Sequence, residues 1–174
     1  MASPLETTCP GCGLQMPASE RASFDGYYHA SAECWSVYTE VLAAEYSNAV
    51  LFGQIHQLTV DAYAVQHAGG PHPDKSVDIH LCGLYLVLER GIPPTSVPKL
   101  LQTLAETVNP WPRLAAPSDR GRPTVFDVAL CDSDEKHREM VREWAATVWQ
   151  SWVEHHVAVA GLVARYLAPA ALLH

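Results

Sequence analysis

The sequence is poor in basic residues, which limits the partners it can have. It contains 11 lysines and arginines against 19 aspartates and glutamates, a formal net charge of −8 with histidine neutral. Such a chain repels phosphate backbones. Among the first 35 residues, Arg21 is the one base beside four acids, whereas a DNA-reading zinc ribbon carries a basic patch. We therefore expect no nucleic-acid partner.

Long apolar runs and a secretory signal are also missing. The stretch from His80 to Leu88 is too short to cross a bilayer and is followed by Glu89 and Arg90. Residues 1–14 hold neither a basic segment nor an apolar run. We expect a cytoplasmic protein without a membrane partner. Thiols stay reduced in that compartment, so the five cysteines indicate metal binding or packing rather than disulfides.

Familiar catalytic signatures are absent as well. The sequence has no glycine-rich phosphate loop, no nucleophile elbow and no His-Glu-x-x-His motif. These gaps argue against common nucleotide-binding, serine-hydrolase and metalloprotease sites. The composition is nevertheless that of a folded protein, because 48% of the residues are apolar and only 17% are charged.

Apolar residues at three- and four-residue spacing predict an all-α protein, a bundle of about five helices with an N-terminal zinc-knuckle segment. The predicted helices cover Ser31–Tyr46, Ala49–His67, Asp74–Arg90, Val97–Val108, and Asp132 to the end. A short element is expected at 124–130, after a loop of four prolines at 109–123 that is a candidate lid. We expect one domain, 1–174, in which residues 1–35 pack on the bundle of residues 36–174. Glu45, on the first helix, is expected to be a solvated charge.

The strongest chemical signal is the pair Cys9-x2-Cys12, which is followed directly by Gly13. This spacing places both sulfurs on one side of a tight turn. Cys34 lies at the start of the first helix, where the dipole favours a thiolate, and His29 completes a C-x2-C-x16-H-x4-C pattern. We predict that these four residues bind a structural zinc ion. Two alternatives stay open: the cysteines are simply reduced at the surface, or a histidine of the helical body replaces His29.

Polar side chains on the inward faces of three helices predict a second site. They are His56, Asp61, Tyr63 and His67 on the second helix, His80 on the third and His156 on the last. His56 and His67 are three turns apart, about 16 Å, so one ion cannot bind both. The preferred metal cluster is Asp61 or His67 with His80 and His156, since ligands from several helices suit an open catalytic site. Equally, such histidines often only form hydrogen bonds inside a core.

Several sequence blocks resemble a known family. They are Cys-Pro-Gly-Cys-Gly-Leu at 9–14, Glu-Cys-Trp at 33–35, Glu-Val-Leu at 40–42, the block from His56 to His67, His80-Leu81, Leu-Glu-Arg-Gly at 88–91, and the Trp-rich last helix with His155-His156. Together they resemble the bacterial domain of unknown function 5946, over nearly the whole chain. That family brings no established activity. The resemblance implies that His56, Asp61, Tyr63, Gln66, His67 and His80 belong to its motif. It also implies that the three cysteines are more typical of the family than a histidine at position 29, which favours His67 or His80 as the residue that completes the cysteine site.

Three functions agree with these patterns. In the first, the protein is a small metal-dependent enzyme acting on a small molecule, with His56, Asp61 and Tyr63 as candidate catalytic residues. In the second, zinc is purely structural, and the protein is a binding or regulatory module with a protein partner. In the third, a single site joins the cysteines to a body histidine and acts as a metal or redox sensor. We rank the enzyme slightly ahead.

Overall fold

The computed structural model describes residues 6–20 and 22–172. Residues 1–5 and 21 of the predicted N-terminal segment, and residues 173 and 174 of the last predicted helix, lie outside this description. The chain opens with an antiparallel hairpin, β1 (Glu6–Thr8) and β2 (Gln15–Pro17), in which Thr7 faces Met16. Seven α-helices follow in the described part: α1 (Ala32–Tyr46), α2 (Ala49–Gln66), α3 (Asp74–Leu88), α4 (Val97–Thr107), α5 (Val125–Ala129), α6 (Asp134–Ser151) and α7 (His156–Tyr166). The predicted helical class is therefore confirmed.

The first helices begin and end within two residues of the predicted positions, because local signals define them. Ser31 caps α1 by accepting a hydrogen bond from the Cys34 N–H, and Asn48 caps α2 in the same way. Gly91, with a φ of 64°, follows the end of α3, as glycine commonly does after a helix. The hairpin was not predicted, since its strands are only three residues long.

The last predicted helix is wrong in two details. It begins at Asp134 and not at Asp132, because Ser133 is the N-cap and accepts a hydrogen bond from the Lys136 N–H. The helix also breaks after Ser151, and a short 3-10 turn leads into α7. At the break, the His156 ring stacks on Trp149 at 3.7 Å, and its Nε2 hydrogen-bonds the Trp149 carbonyl at 2.9 Å. That carbonyl would otherwise accept from the next turn of a continuous helix.

Helix α2 lies at the centre of the bundle, where it packs against α1, α3 and α6. Its apolar stripe is buried, with every member at most 3% exposed: Leu51, Ile55, Leu58, Ala62 and Val65. Trp144 of α6 and the following Trp152 complete this core as its two largest fully buried side chains. Among the described helices, none has the length and apolar character required to cross a membrane.

Candidate metal centre

The turn between β1 and β2 carries the first two cysteines of the centre. The Cys9 N–H donates to the Leu14 carbonyl at 2.8 Å, and the Gly13 N–H donates to the Cys9 carbonyl at 2.9 Å. Gly13 has a φ of 73°, a conformation that favours glycine. Gly11 is required for another reason: a Cβ there would collide with the His29 carbonyl oxygen and lie 2.6 Å from the His67 ring. The knuckle is thus pressed closely against the bundle.

The bundle supplies the other two side chains of the cluster. Cys34 is the third residue of α1, where the partial positive charge of the helix N-terminus favours a thiolate. His67 is the C-cap of α2, and its ring is fully buried. Because α1 and α2 pack against each other, residues 33 positions apart in sequence meet at the knuckle.

The donor atoms of Cys9, Cys12, Cys34 and His67 all lie within 4.8 Å of one another. The Sγ atoms of Cys12 and Cys34 are 3.8 Å apart, and Cys34 Sγ lies 3.4 Å from His67 Nε2. A tetrahedral ion with metal–sulfur bonds of about 2.3 Å and a metal–nitrogen bond of about 2.0 Å requires edges of roughly 3.8 Å and 3.5 Å. The four side chains can therefore hold a metal ion.

Neighbouring groups orient the donors. His67 Nδ1 hydrogen-bonds the Tyr63 carbonyl at 2.8 Å, so that Nδ1 carries the proton and Nε2 faces the sulfurs. The Tyr63 hydroxyl donates to Cys34 Sγ at 3.8 Å. The Tyr63 ring stacks between His67, at 4.0 Å, and Tyr38, at 3.7 Å. Tyr63, a predicted catalytic residue, therefore lies beside the metal cluster as a hydrogen-bond donor to sulfur.

Negative charge in the cluster is unevenly distributed. Hydrogen bonds from Cys12 and Cys34 hold the pKa of Cys9 well below its usual range. The hydrogen bonds to Cys12 and Cys9, together with burial, raise the pKa of Cys34. Burial alone would lower the pKa of His67, but hydrogen bonds and charge from Cys12 and Cys9 outweigh it and raise the pKa to about 9. A metal ion would have to displace this proton, as metal binding to histidine generally does.

His29, the predicted fourth ligand, lies outside the cluster. Its N–H donates to the His67 carbonyl at 3.2 Å, and its ring packs on the turn at Gly69 and Gly70, where a Cβ on Gly70 would lie 2.6 Å from it. Its Nδ1 is buried without a hydrogen-bond partner among the described residues. The two histidines therefore lie side by side along the backbone, but only the His67 ring faces the cysteine sulfurs.

The predicted second metal cluster is not brought together either. Asp61 is completely buried and accepts hydrogen bonds from His80 Nδ1 at 2.7 Å and from Gln57 at 2.8 Å. Its Oδ2 lies against Gly83, where any Cβ would collide with it. His156 is held by Trp149 instead. In the described ranges, the four-residue Cys/His cluster is the one group with metal-binding geometry.

His56, the remaining predicted catalytic residue, belongs to a buried network that sequence reasoning missed. Its Nδ1 lies 2.7 Å from Glu45, which is completely buried and also accepts from Thr59 at 2.6 Å and His137 at 3.0 Å. The expectation that Glu45 is solvated is therefore wrong. Burial alone would raise the pKa of Glu45, but the hydrogen bonds from His137, His56 and Thr59 outweigh it and lower the pKa.

A signal for this network was present in the sequence. Glu45 continues the helical spacing of Tyr38 and Val41, which are both buried, and His137 precedes Val141 and Trp144 at the same kind of spacing. A charged residue on a core stripe is expected to have partners when it is buried. The three predicted catalytic residues thus have separate surroundings: His56 at Glu45, Asp61 at His80, and Tyr63 at the cysteines.

Comparison with known proteins gives one match. Residues 7–153 match the family of unknown function DUF5946, and this range holds all four donors of the cluster together with Asp61 and His80. No curated protein and no solved structure matches the chain. Because the match covers most of the sequence, the chain belongs to this family of unknown function.

Proposed function

We propose that the chain is a zinc protein in which the ion, held by Cys9, Cys12, Cys34 and His67, fastens the N-terminal hairpin to the helical bundle. The observation that carries this proposal is the agreement between the donor distances and the edges of a zinc-sized tetrahedron. The donor set supports zinc in particular, because three thiolates and one imidazole form a common structural zinc site. A reducing compartment such as the cytoplasm would keep the thiols available.

The site favours a structural role over a catalytic one. Four protein donors saturate a tetrahedral ion, and none of the four residues is more than 6% exposed. A catalytic zinc ion instead keeps a position for water or substrate. We therefore place a zinc-stabilised binding or regulatory module ahead of a zinc enzyme. Two ligands come from the knuckle and two from helix ends, so loss of the ion would release the knuckle from the bundle.

Metal content tests this proposal. The purified full chain is analysed for metals beside Cys12→Ser, His67→Gln and the matched control Cys82→Ser, whose thiol is buried in α3 away from the cluster. We expect one zinc ion per chain, lost in the first two variants and kept in the control. We also expect a strong chelator to lower the melting temperature of the wild type, because structural zinc contributes to folding. Full metal content in His67→Gln, or melting unaffected by metal loss, would refute the proposal.

One observation favours a second function, proton transfer at His80. The buried Asp61 carboxylate fixes the proton on His80 Nδ1, and the His80 side chain is 18% exposed. Its Nε2 has no hydrogen-bond partner in the described ranges and is not enclosed, so it is available as a base. Wild type, His80→Gln and Asp61→Asn are incubated with a metabolite extract, and its composition is followed by mass spectrometry. A compound consumed by the wild type alone is expected; equal consumption by all three would exclude this role.

A further inference from the structure

The cysteine cluster holds two thiols from different parts of the fold in contact. Cys12 lies in the knuckle turn between β1 and β2, Cys34 lies in the first turn of α1, and their Sγ atoms are 3.8 Å apart. This distance is the edge of a zinc-sized tetrahedron, so a bound ion would keep the two sulfurs apart. A disulfide bond is about 2.0 Å long, and without the ion the sulfurs need to approach by only about 1.8 Å to form one.

Contacts on either side of Cys12 set this proximity. The neighbouring Gly11 is packed so closely on the bundle that a Cβ there would lie 2.6 Å from the His67 ring. Just after β2, the Ser19 N–H donates to the Glu33 carboxylate at 3.1 Å, and Glu33 directly precedes Cys34 in α1. The hairpin is thus anchored beside His67 and beside Cys34, which keeps Cys12 within reach of Cys34 in the folded chain.

Cys12 is also the most accessible of the four donors. Its exposed fraction is 6%, whereas that of each other donor is at most 1%, so an oxidant that reaches the cluster meets the Cys12 sulfur first. Cys131, outside the cluster, is more exposed, but its Sγ donates a hydrogen bond to the Asp127 carbonyl at 3.5 Å. That bond holds Cys131 as a thiol, while cysteine in a zinc site is a thiolate, the form that attacks peroxides.

We propose that Cys12 and Cys34 form an oxidation site, at which hydrogen peroxide replaces the zinc ion by a disulfide bond between the two residues. The Cys12 thiolate attacks one peroxide oxygen, the O–O bond breaks, and Cys12 becomes a sulfenic acid as hydroxide leaves. The Cys34 thiolate then attacks the Cys12 sulfur and displaces a second hydroxide. The two thiolates lose two electrons, the peroxide gains them, and both hydroxides take up protons to become water.

This exchange rests on the zinc site of the proposed function and gives that site a second state. The disulfide removes two of the four donors, so the ion is released. Loss of zinc to a chelator frees the knuckle, whereas a bond between Cys12 and Cys34, 22 positions apart, keeps the knuckle fastened to α1. A disulfide between Cys9 and Cys12 would lie within the knuckle and fasten nothing. Oxidation therefore empties the site while the hairpin stays attached to the bundle.

Peptide mapping of the zinc-loaded full chain after treatment with hydrogen peroxide tests the proposal. Released zinc is measured with a chromogenic chelator, free thiols are blocked, and the unfolded chain is digested with trypsin. Cleavage after Arg21 and Lys75 places Cys12 in the first peptide and Cys34 in the second. We expect one zinc ion released per chain and these two peptides joined by a reducible bond, in a chain that stays monomeric without reductant. The matched control Cys131→Ser should give the same linkage and the same zinc release.

The wild-type peptides decide the outcome without any variant that has to fold. A disulfide confined to the first peptide would assign the bond to Cys9 and Cys12 and overturn the proposal, as would fragmentation of the joined peptides that links Cys9 to Cys34. Zinc that stays bound, with no linkage, would refute the exchange and leave the proposed function intact. A chain that carries no zinc before oxidation would instead refute the proposed function, and the exchange with it.

Discussion

Replacing Asp78 by asparagine should stabilise the protein, and increasingly so at higher pH. The pKa of this carboxyl is raised by burial and by Asp74 from 3.8 to about 7. A carboxyl whose pKa is raised in the folded state does not affect stability while it is protonated in both states, and it destabilises the folded state once the carboxyl of the unfolded chain ionises. The stability lost by wild type therefore begins near pH 4, grows as the pH rises through 7, and levels off above that.

The pKa shift sets the magnitude. One unit corresponds to about 1.4 kcal/mol, so the buried carboxyl destabilises the folded state by roughly 2 kcal/mol at pH 5 and about 4 kcal/mol at pH 9. Asparagine has nearly the same shape and does not ionise. The stability difference between Asp78→Asn and wild type should therefore increase by about 2–3 kcal/mol from pH 5 to pH 9.

Urea unfolding at pH 5, 7 and 9 measures this difference. Loss of metal at low pH affects both proteins equally, since Asp78 is not part of the cysteine cluster, and cancels in the comparison. Asp132→Asn is the control, because its carboxylate is 73% exposed and its effect should vary little with pH. A difference that stays constant within about 0.5 kcal/mol over this range would show that Asp78 is not buried as an unpartnered acid.

Two further substitutions, Gly83→Ala and Glu45→Gln, test the buried contacts of α2, and Gly161→Ala is the control for the first. Gly83→Ala should destabilise the protein by about 2–4 kcal/mol in urea unfolding, because its Cβ would collide with the Asp61 carboxylate. Gly161→Ala should instead stabilise the protein by about 0.5–1 kcal/mol, because a Cβ there meets no atom within 4 Å. Equal effects of these two changes would contradict the close approach of α3 to Asp61. Glu45→Gln should lower the free energy of unfolding by about 2–3 kcal/mol at pH 7, because the amide replaces a carboxylate that accepts three hydrogen bonds. A decrease of less than about 0.5 kcal/mol would mean that Glu45 is solvated.

The helical class and the cysteines of the cluster could be inferred from sequence because both depend on local spacing. A helix is encoded by residues three and four positions apart, and Cys9 and Cys12 lie in one turn. The distant histidine was harder to identify. His29 was favoured because it is near Cys34 in sequence, but His67 occupies the position beside the sulfurs because α2 ends at the knuckle. Which helix end meets the knuckle is a property of packing, and sequence spacing does not encode it.

The inward histidines were interpreted as one shared site because the sequence gives the face of a helix but not the partner across from it. His80 and His56 point inward as expected, yet each meets a carboxylate of a different neighbour, Asp61 for one and Glu45 for the other. Such pairs depend on the relative rotation and height of two helices. A residue pattern along one helix carries neither quantity.

These pairs also explain why a central helix that is buried nearly all round contains so many polar groups. Apolar packing alone tolerates small rotations of a helix, because many hydrophobic arrangements have similar energies. In α2, Thr59 bonds Glu45 of α1, Asp61 bonds His80 of α3, and Gln66 accepts from Trp144 and donates to the carbonyls of residues 121 and 123. Each contact faces a different neighbour, so rotation of α2 would break them together. We infer that this network sets the position of His67 at the end of α2, and hence the tetrahedron at the knuckle.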